Sequence, residues 1–261
     1  MKILYFLVSF LTSLVGAICG IGGGVIIKPV LDSFALDSVS AISFLSGCTV
    51  LAMSCYSVLR NLQAKERIPY VSVIPLTIGG AAGGVLGKYL FNFIKQQSQN
   101  EMLVGQLQAI CLLIATLAVF WYMLLRSHVQ VKNCQNRAVA VCIGCGLGVL
   151  SSFLGIGGGP INLIVLYYFF GMDTKKAAQC SLFVILFSQA ASLVMSFLTN
   201  SIPAVSGISL VLMISGGLFG GMLGRTVSKK LPASAIDKLL LILLVVIGLI
   251  CVRNIIYFRG V

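Results

Sequence analysis

The chain has 261 residues, 59% of them hydrophobic and only 9% charged, with 18 Lys and Arg against 6 Asp and Glu for a formal net charge of +12. A soluble domain carries about 25% charged residues; here the shortage extends over the whole chain, with a mean hydropathy of +1.07, which excludes a water-soluble globular protein and predicts one embedded in a bilayer. The basic residues lie mostly in short loops between apolar runs, where they anchor and orient a membrane protein, so the positive charge does not indicate nucleic acid.

The first apolar run, 3–36, covers 34 positions, against the roughly 20 that one span needs. It is interrupted by Gly20-Ile21-Gly22-Gly23-Gly24 and again near Pro29. Each glycine costs a helix about 1 kcal/mol relative to alanine, so this stretch predicts a break. Lys2, the apolar residues after it and Val15-Gly16-Ala17 also resemble a signal peptide with its cleavage site. The same pattern returns at the centre of the chain, which a removed leader would not do, so the segment is expected to be structural. Apolar runs follow at about 39–59, 71–94 and 103–125.

The loop 126–137, with Arg126, His128, Lys132, Asn133, Asn136 and Arg137, is the most polar part of the chain and the natural boundary between halves. Beyond it a second 34-position run, 138–171, is broken by Gly155-Ile156-Gly157-Gly158-Gly159, which repeats the first glycine motif letter for letter 135 residues later. Runs at 177–198, 204–227 and 236–257 complete the set. The predicted fold is an all-α polytopic membrane protein: one transmembrane domain, with a first repeat over about 1–125 and a second over about 138–261. Each repeat has about four hydrophobic segments, the first of them broken.

Two further matches support a duplication. The stretch Gly79-Gly80-Ala81-Ala82-Gly83-Gly84-Val85-Leu86-Gly87-Lys88 is identical at six of ten positions to Gly216-Gly217-Leu218-Phe219-Gly220-Gly221-Met222-Leu223-Gly224-Arg225, and Asp37-Ser38 matches Asp173-Thr174. The small-residue spacing in the first pair suits close helix packing in a bilayer. Of nine cysteines, eight fall within or at the edge of apolar runs, where cysteine behaves as a small hydrophobe. Cys142-Ile143-Gly144-Cys145 has the C-x-x-C spacing but no second ligand pair, and His128 lies in a loop, so packing is expected rather than metal or disulfide chemistry.

Charge tests how the halves are oriented. If each long run crosses once, the 18 basic residues divide nine against nine between the two sides and no orientation follows. If each folds back at its glycines, the loops 60–70, 126–137, 172–176 and 225–238 share a side carrying twelve. The other side carries six: Lys2, Lys28, Lys88, Lys95, Arg253 and Arg259. That bias predicts inverted repeats with both termini outside the cell.

Interrupted apolar segments at corresponding positions of two halves point to a transporter binding site. Unwound backbone survives at membrane depth only where it is buried in protein or lines a cavity. Successive glycines ahead of a helix leave backbone N–H groups free to converge on an anion, with the helix dipole adding positive potential. Lys28 and Asn162 lie just past the two motifs and are candidate donors; a snorkelling anchor and a helix–helix hydrogen bond are the competing roles.

These residues resemble the TauE/SafE sulfite exporter family, also called the four-toluene-sulfonate-uptake family. The paired GIGGG motifs, Val25-Ile26-Ile27-Lys28-Pro29-Val30-Leu31, Ala177-Ala178-Gln179-Cys180-Ser181-Leu182 and the GGxxGGxLG stretches carry the likeness over nearly the whole chain. The sequence departs from the pattern at Cys180, which replaces a threonine. The first half reads Ala41-Ile42-Ser43-Phe44-Leu45-Ser46-Gly47 without the Thr-Ser pair, and in the second Pro160 follows the glycines directly, with Leu163-Ile164 where Lys28-Pro29 would be. The resemblance implies a membrane exporter of small sulfur-containing or organic anions, such as sulfite or sulfonates. The candidate substrate-binding residues are Gly20, Gly22, Gly23, Gly24, Lys28, Pro29, Gly155, Gly157, Gly158, Gly159, Pro160, Asn162, Gln179 and Ser181. No catalytic residue, metal or cofactor is expected. The expected partners are a small anion and the lipid bilayer, with a homodimer kept open, and the expected location is a bacterial plasma membrane.

Asp32, Asp37, Glu66, Asp173 and Asp237 lie at the ends of apolar runs or in loops, and Glu101 just ahead of one. With no carboxylate predicted mid-span, no proton relay is expected and uniport or weakly coupled export follows. Two alternatives stand beside this: a non-transporting membrane scaffold or assembly factor, and a carrier of another substrate coupled to protons or sodium. An intramembrane enzyme would need a motif such as H-E-x-x-H or G-x-S-x-G, which is absent.

Overall fold

A computed structural model describes residues 2–63, 70–98, 100–126, 131–132 and 136–259. Lys65, Glu66, Arg67, His128, Asn133 and Cys134, which enter the charge, acid and cysteine readings, lie outside the described residues. The described chain is built of α-helices, in the order α1 Lys2–Cys19, α2 Gly24–Phe34, α3 Val39–Gln63, α4 Tyr70–Ser98, α5 Glu101–Leu125, α6 Arg137–Leu154, α7 Pro160–Phe170, α8 Thr174–Leu198, α9 Gly207–Lys230 and α10 Ala233–Arg259. Eight of them are long and apolar enough to cross a membrane; α2 and α7, at 11 residues each, are too short. The first three helices have 18, 11 and 25 residues, and α6, α7 and α8 repeat those lengths.

Helix α2 runs back along α1. A β-carbon at Gly23 would fall 2.6 Å from Ser13 Oγ, and the Tyr5 hydroxyl donates to the Asp37 carboxylate just beyond α2. Tyr5, Val8, Ile27, Leu31, Ile42 and Leu45 form one buried cluster between α1, α2 and α3. In the second half the Lys132 N–H donates to the Tyr168 carbonyl at 2.8 Å, so the end of α7 returns to the start of α6.

The long helices mesh through glycine. β-Carbons at Gly79, Gly83 and Gly87 of α4 would fall 2.0–2.4 Å from the carbonyl oxygens of Val141, Cys145 and Val149 of α6. At Gly216, Gly220 and Gly224 of α9 they would fall 2.2–2.6 Å from those of Phe6, Phe10 and Leu14 of α1. Only a residue without a side chain permits that approach, the packing device of helices in lipid. The numbers rise together, so α4 runs in the same direction as α6, and α9 in the same direction as α1. The same helices use a second glycine face: Gly80 and Gly84 meet Val184 and Ser188 of α8, and Gly217 and Gly221 meet Thr49 and Met53 of α3.

Polar contacts gather the helix ends into two faces. Lys95 pairs with Glu101 at 2.6 Å, and both bond the Ser40 hydroxyl, which brings the end of α4 and the starts of α3 and α5 together on the face where α1 begins. On the opposite face Asp237 accepts from Arg126 at 3.3 Å and from Thr174 at 3.1 Å, joining the end of α5 to the starts of α8 and α10.

Two charged residues are more deeply buried than their place in the sequence suggests. Asp32, expected at the end of an apolar run, is buried in α2, and Lys28, a candidate anchor or ligand, bonds it at 2.6 Å with side chains 3% and 6% exposed. The i, i+4 spacing on a short helix packed inside the protein lets the two neutralise each other there. Asp32 nonetheless lies in the last turn of α2, at the end of the first apolar run where the sequence places it.

Candidate functional site

Both glycine motifs end a helix in the same way. Gly20 and Gly155 are left-handed, with φ of 73° and 64°. The next residue's N–H reaches the carbonyl five positions back: Ile21 to Gly16 at 3.1 Å and Ile156 to Ser151 at 3.3 Å. This is the helix-ending Schellman arrangement, and it satisfies a carbonyl that the helix would leave bare. Gly22 and Gly157 are again left-handed, at 74° and 75°. The first and third letters of GIGGG thus answer a backbone demand that side chains meet poorly. Gly16 matters for a different reason, because a β-carbon there would fall 2.7 Å from the returning backbone of Gly22 and Gly23.

The two breaks touch. A β-carbon at Gly24 would fall 2.1 Å from the Ile156 carbonyl oxygen, and one at Gly159 would fall 3.3 Å from Val25. The two long central helices clamp the junction. Val50 of α3 lies against Gly24 and Gly157, and Ile185 of α8 against Gly22 and Gly158. Two turns earlier on each helix, Ser43 abuts Gly155 and Ala178 abuts Gly20. Ser46 and Ser181, each 0% exposed, have hydroxyls without a hydrogen-bond partner and lie one turn before Val50 and Ile185.

Helices α2 and α7 begin at this junction, so their positive dipole ends are directed into it. Among the described residues, no hydrogen bond is formed by the N–H groups of Gly22, Gly23, Gly24 and Val25, nor by those of Gly157, Gly158 and Gly159. Pro160 opens α7, at a position where its missing N–H costs nothing. Asn162 lies one turn in, its Nδ2 3.1 Å from where a Gly158 β-carbon would be. Gly158, Gly159, Pro160 and Asn162 line a cavity of about 20 Å³ toward α5, room for about one water molecule. Buried donors, two helix ends and hydroxyls without partners can solvate a small anion.

Ten of the fourteen candidate residues meet here: the eight glycines, Pro160 and Asn162. Ser181 stands beside them. Gln179 instead lines a cavity at the face where α8 begins, with Lys175 and Arg225. Lys28 and Pro29 turn away toward α5 and α10. Lys28 is spent on Asp32, and the Pro29 carbonyl accepts from Asn254 at 2.8 Å. Gln108 and Asn254 face the same small cavity as that pair, and Gln108 donates to the Phe153 carbonyl at 2.6 Å. Ser43, Ser46, Val50 and Ile185 were not among the candidates. The glycine offset of 135 would have found Ser46, since it aligns Val39 with Thr174 at the helix starts and Ser46 with Ser181.

The sequence pattern of the family described as sulfite exporter TauE/SafE matches residues 5–250. A probable membrane transporter protein, YunE, of Bacillus subtilis is 23% identical over 252 residues, covering 90% of this chain and 91% of that one. A probable membrane transporter protein of Haemophilus influenzae is 27% identical over 172 residues, 64% of this chain and 61% of that one. One from Methanocaldococcus jannaschii is 25% identical over 259 residues, 94% and 93% of the two chains. No solved structure matches.

Proposed function

From the premise that this chain belongs to the sulfite exporter TauE/SafE family, and so is a multi-pass membrane transporter and not an enzyme, we propose that it exports small sulfur-containing or organic anions such as sulfite or sulfonates. The site is the junction of the two GIGGG breaks, exposed to one side of the membrane and then the other. The observation that carries this reading is the contact of the two breaks, Gly24 against the Ile156 carbonyl, with unspent backbone N–H groups in both. A membrane scaffold needs close-packed glycines but has no use for two helix starts left open at depth.

The halves, divided by the loop 126–137, are inverted repeats in this proposal. Each hairpin of a long and a short helix returns to its own side, so α1 and α6 enter from opposite faces. That relation is supported by α4, which shares the direction of α6 yet ends on the face where α1 begins, and by the gathering of Arg126, Lys175, Arg225 and Lys229 at one face. Alternating access is then a rocking of one half against the other around a fixed centre.

The buried carboxylate of Asp32 is held by Lys28 as a neutral pair, so we assign the driving force to the membrane potential. About 100 mV, negative inside, favours exit of a monovalent anion by roughly 2.3 kcal/mol. Purified protein in liposomes should release labelled sulfite at a rate that follows an imposed potassium diffusion potential, with no proton or sodium gradient present. Release that requires either gradient at fixed potential would contradict this.

A further inference from the structure

We propose that Lys88 and Arg225 are a matched pair of oxyanion-docking cations, each standing in a vestibule that leads from one face of the protein to one of the two glycine breaks. Both residues follow the last glycine of a packing stretch, Gly87 and Gly224, 137 positions apart, and neither is absorbed by the packing those glycines perform.

Lys88 carries the argument. Its side chain is only 8% exposed, yet among the described residues no carboxylate and no hydrogen-bond acceptor engages it; its Nζ rests 4.9 Å from the centre of the Phe91 ring. A buried ammonium without a counter-charge is costly and is normally paired. It lines a cavity of about 490 Å³ with Ser40, Phe91, Asn92 and Lys95. Lys95 is neutralised by Glu101 at 2.6 Å, so the uncompensated charge in this vestibule is that of Lys88. A small oxyanion supplies the missing partner. It would gain a charge-assisted hydrogen bond from Lys88 and a weaker one from the Asn92 amide, which has one N–H left beside the bond it gives Ser201.

The opposite vestibule repeats the plan with the halves exchanged. Arg225 lines a cavity of about 70 Å³ together with Lys175, Ser228 and Lys229. Under the repeat offsets, Lys175 stands where Ser40 does, and Arg225, Ser228 and Lys229 stand where Lys88, Phe91 and Asn92 do. Arg225 is held in place by a 2.7 Å bond to the Ser57 carbonyl. The Arg225 cavity reaches the first break, since Gly20 and Ala178 line it, and helix periodicity points the Lys88 cavity at the second. One turn beyond Ser40 on α3 is Ser43, which abuts Gly155, and one turn beyond Lys175 on α8 is Ala178, which abuts Gly20. The vestibule on the face where α1 begins therefore serves the second break, and the opposite vestibule serves the first. This assignment rests on the anion-transport reading for its purpose, but its binding step is measurable without transport.

The test is thermal unfolding of the purified full-length protein in detergent across a series of sulfite concentrations, alongside labelled sulfite flux in liposomes. Wild type should be stabilised progressively, and Lys88→Met should raise the sulfite concentration giving half the effect at least tenfold. Lys88→Arg should restore most of it, and Arg225→Met should raise it in the same sense. A lysine needed only for packing would lower the melting temperature without sulfite and leave the half-effect concentration where it was, which would overturn the proposal. So would wild-type protein that sulfite does not stabilise. Flux in wild type with a half-effect concentration untouched by Lys88→Met leaves the transport reading intact and removes this one. Lys88-dependent stabilisation without flux does the reverse.

Discussion

Each glycine of the GIGGG motif has its own task. Gly20, Gly22, Gly155 and Gly157 hold left-handed backbone, whereas Gly24 is helical and is small because the Ile156 carbonyl occupies the space a side chain would need. The motif was legible as a helix breaker because glycine's backbone freedom is a property of the residue itself. The partner of Lys28 was less so: hydropathy placed Asp32 at the edge of a run, and only the return of α2 into the protein buries it. Removing one member of such a pair leaves an uncompensated buried charge, which costs about 3–5 kcal/mol. Asp32→Asn should therefore lower the melting temperature in detergent markedly. Lys28→Met combined with Asp32→Leu should recover most of the loss. An unshifted midpoint for the single variant would mean that the pair contributes nothing to stability.

Among the elements, the long helices were the most legible, since runs of 20 or more apolar residues have few other homes. Their boundaries fall within four residues of the apolar runs, α4 with its 29 residues included. The glycine faces of α4 and α9 were readable as packing surfaces, but not their partners, because GxxxG spacing does not say which helix approaches. The structure pairs each with the broken helix of the other half. Adding a methyl at Gly83 or Gly220 would press it to within 2.1 or 2.2 Å of a carbonyl oxygen, and overpacking of this kind costs about 1–3 kcal/mol. Gly146 on α6 has nothing within 4 Å, so Gly146→Ala should stabilise by up to about 1 kcal/mol through helix propensity. Unfolding midpoints of the three variants should separate in that order. Equal midpoints would contradict the assigned contacts.

For the whole molecule, the twelve-to-six division of basic residues was the one sequence signal of relative orientation, and two of the six, Lys28 and Lys88, prove to be buried and so anchor no surface. The proposed topology puts both termini on the less basic face, so a phosphatase reporter fused after Val261 should be active outside the cell, and one inserted in the loop 126–137 should be silent; the reverse pattern would invert the proposed direction of every vestibule. What hydropathy could not supply is the meeting of the two breaks, which depends on α3 and α8 pressing Val50 and Ile185 onto glycines from both halves. That meeting is the centre of the account, and labelled sulfite flux through liposomes holding Gly22→Ala or Gly158→Ala tests it most directly. Each substitution, confirmed as folded by its melting transition, should cut flux at least tenfold, because each alters one half of a shared site. Wild-type flux in either folded variant would show that the anion does not pass between the two breaks.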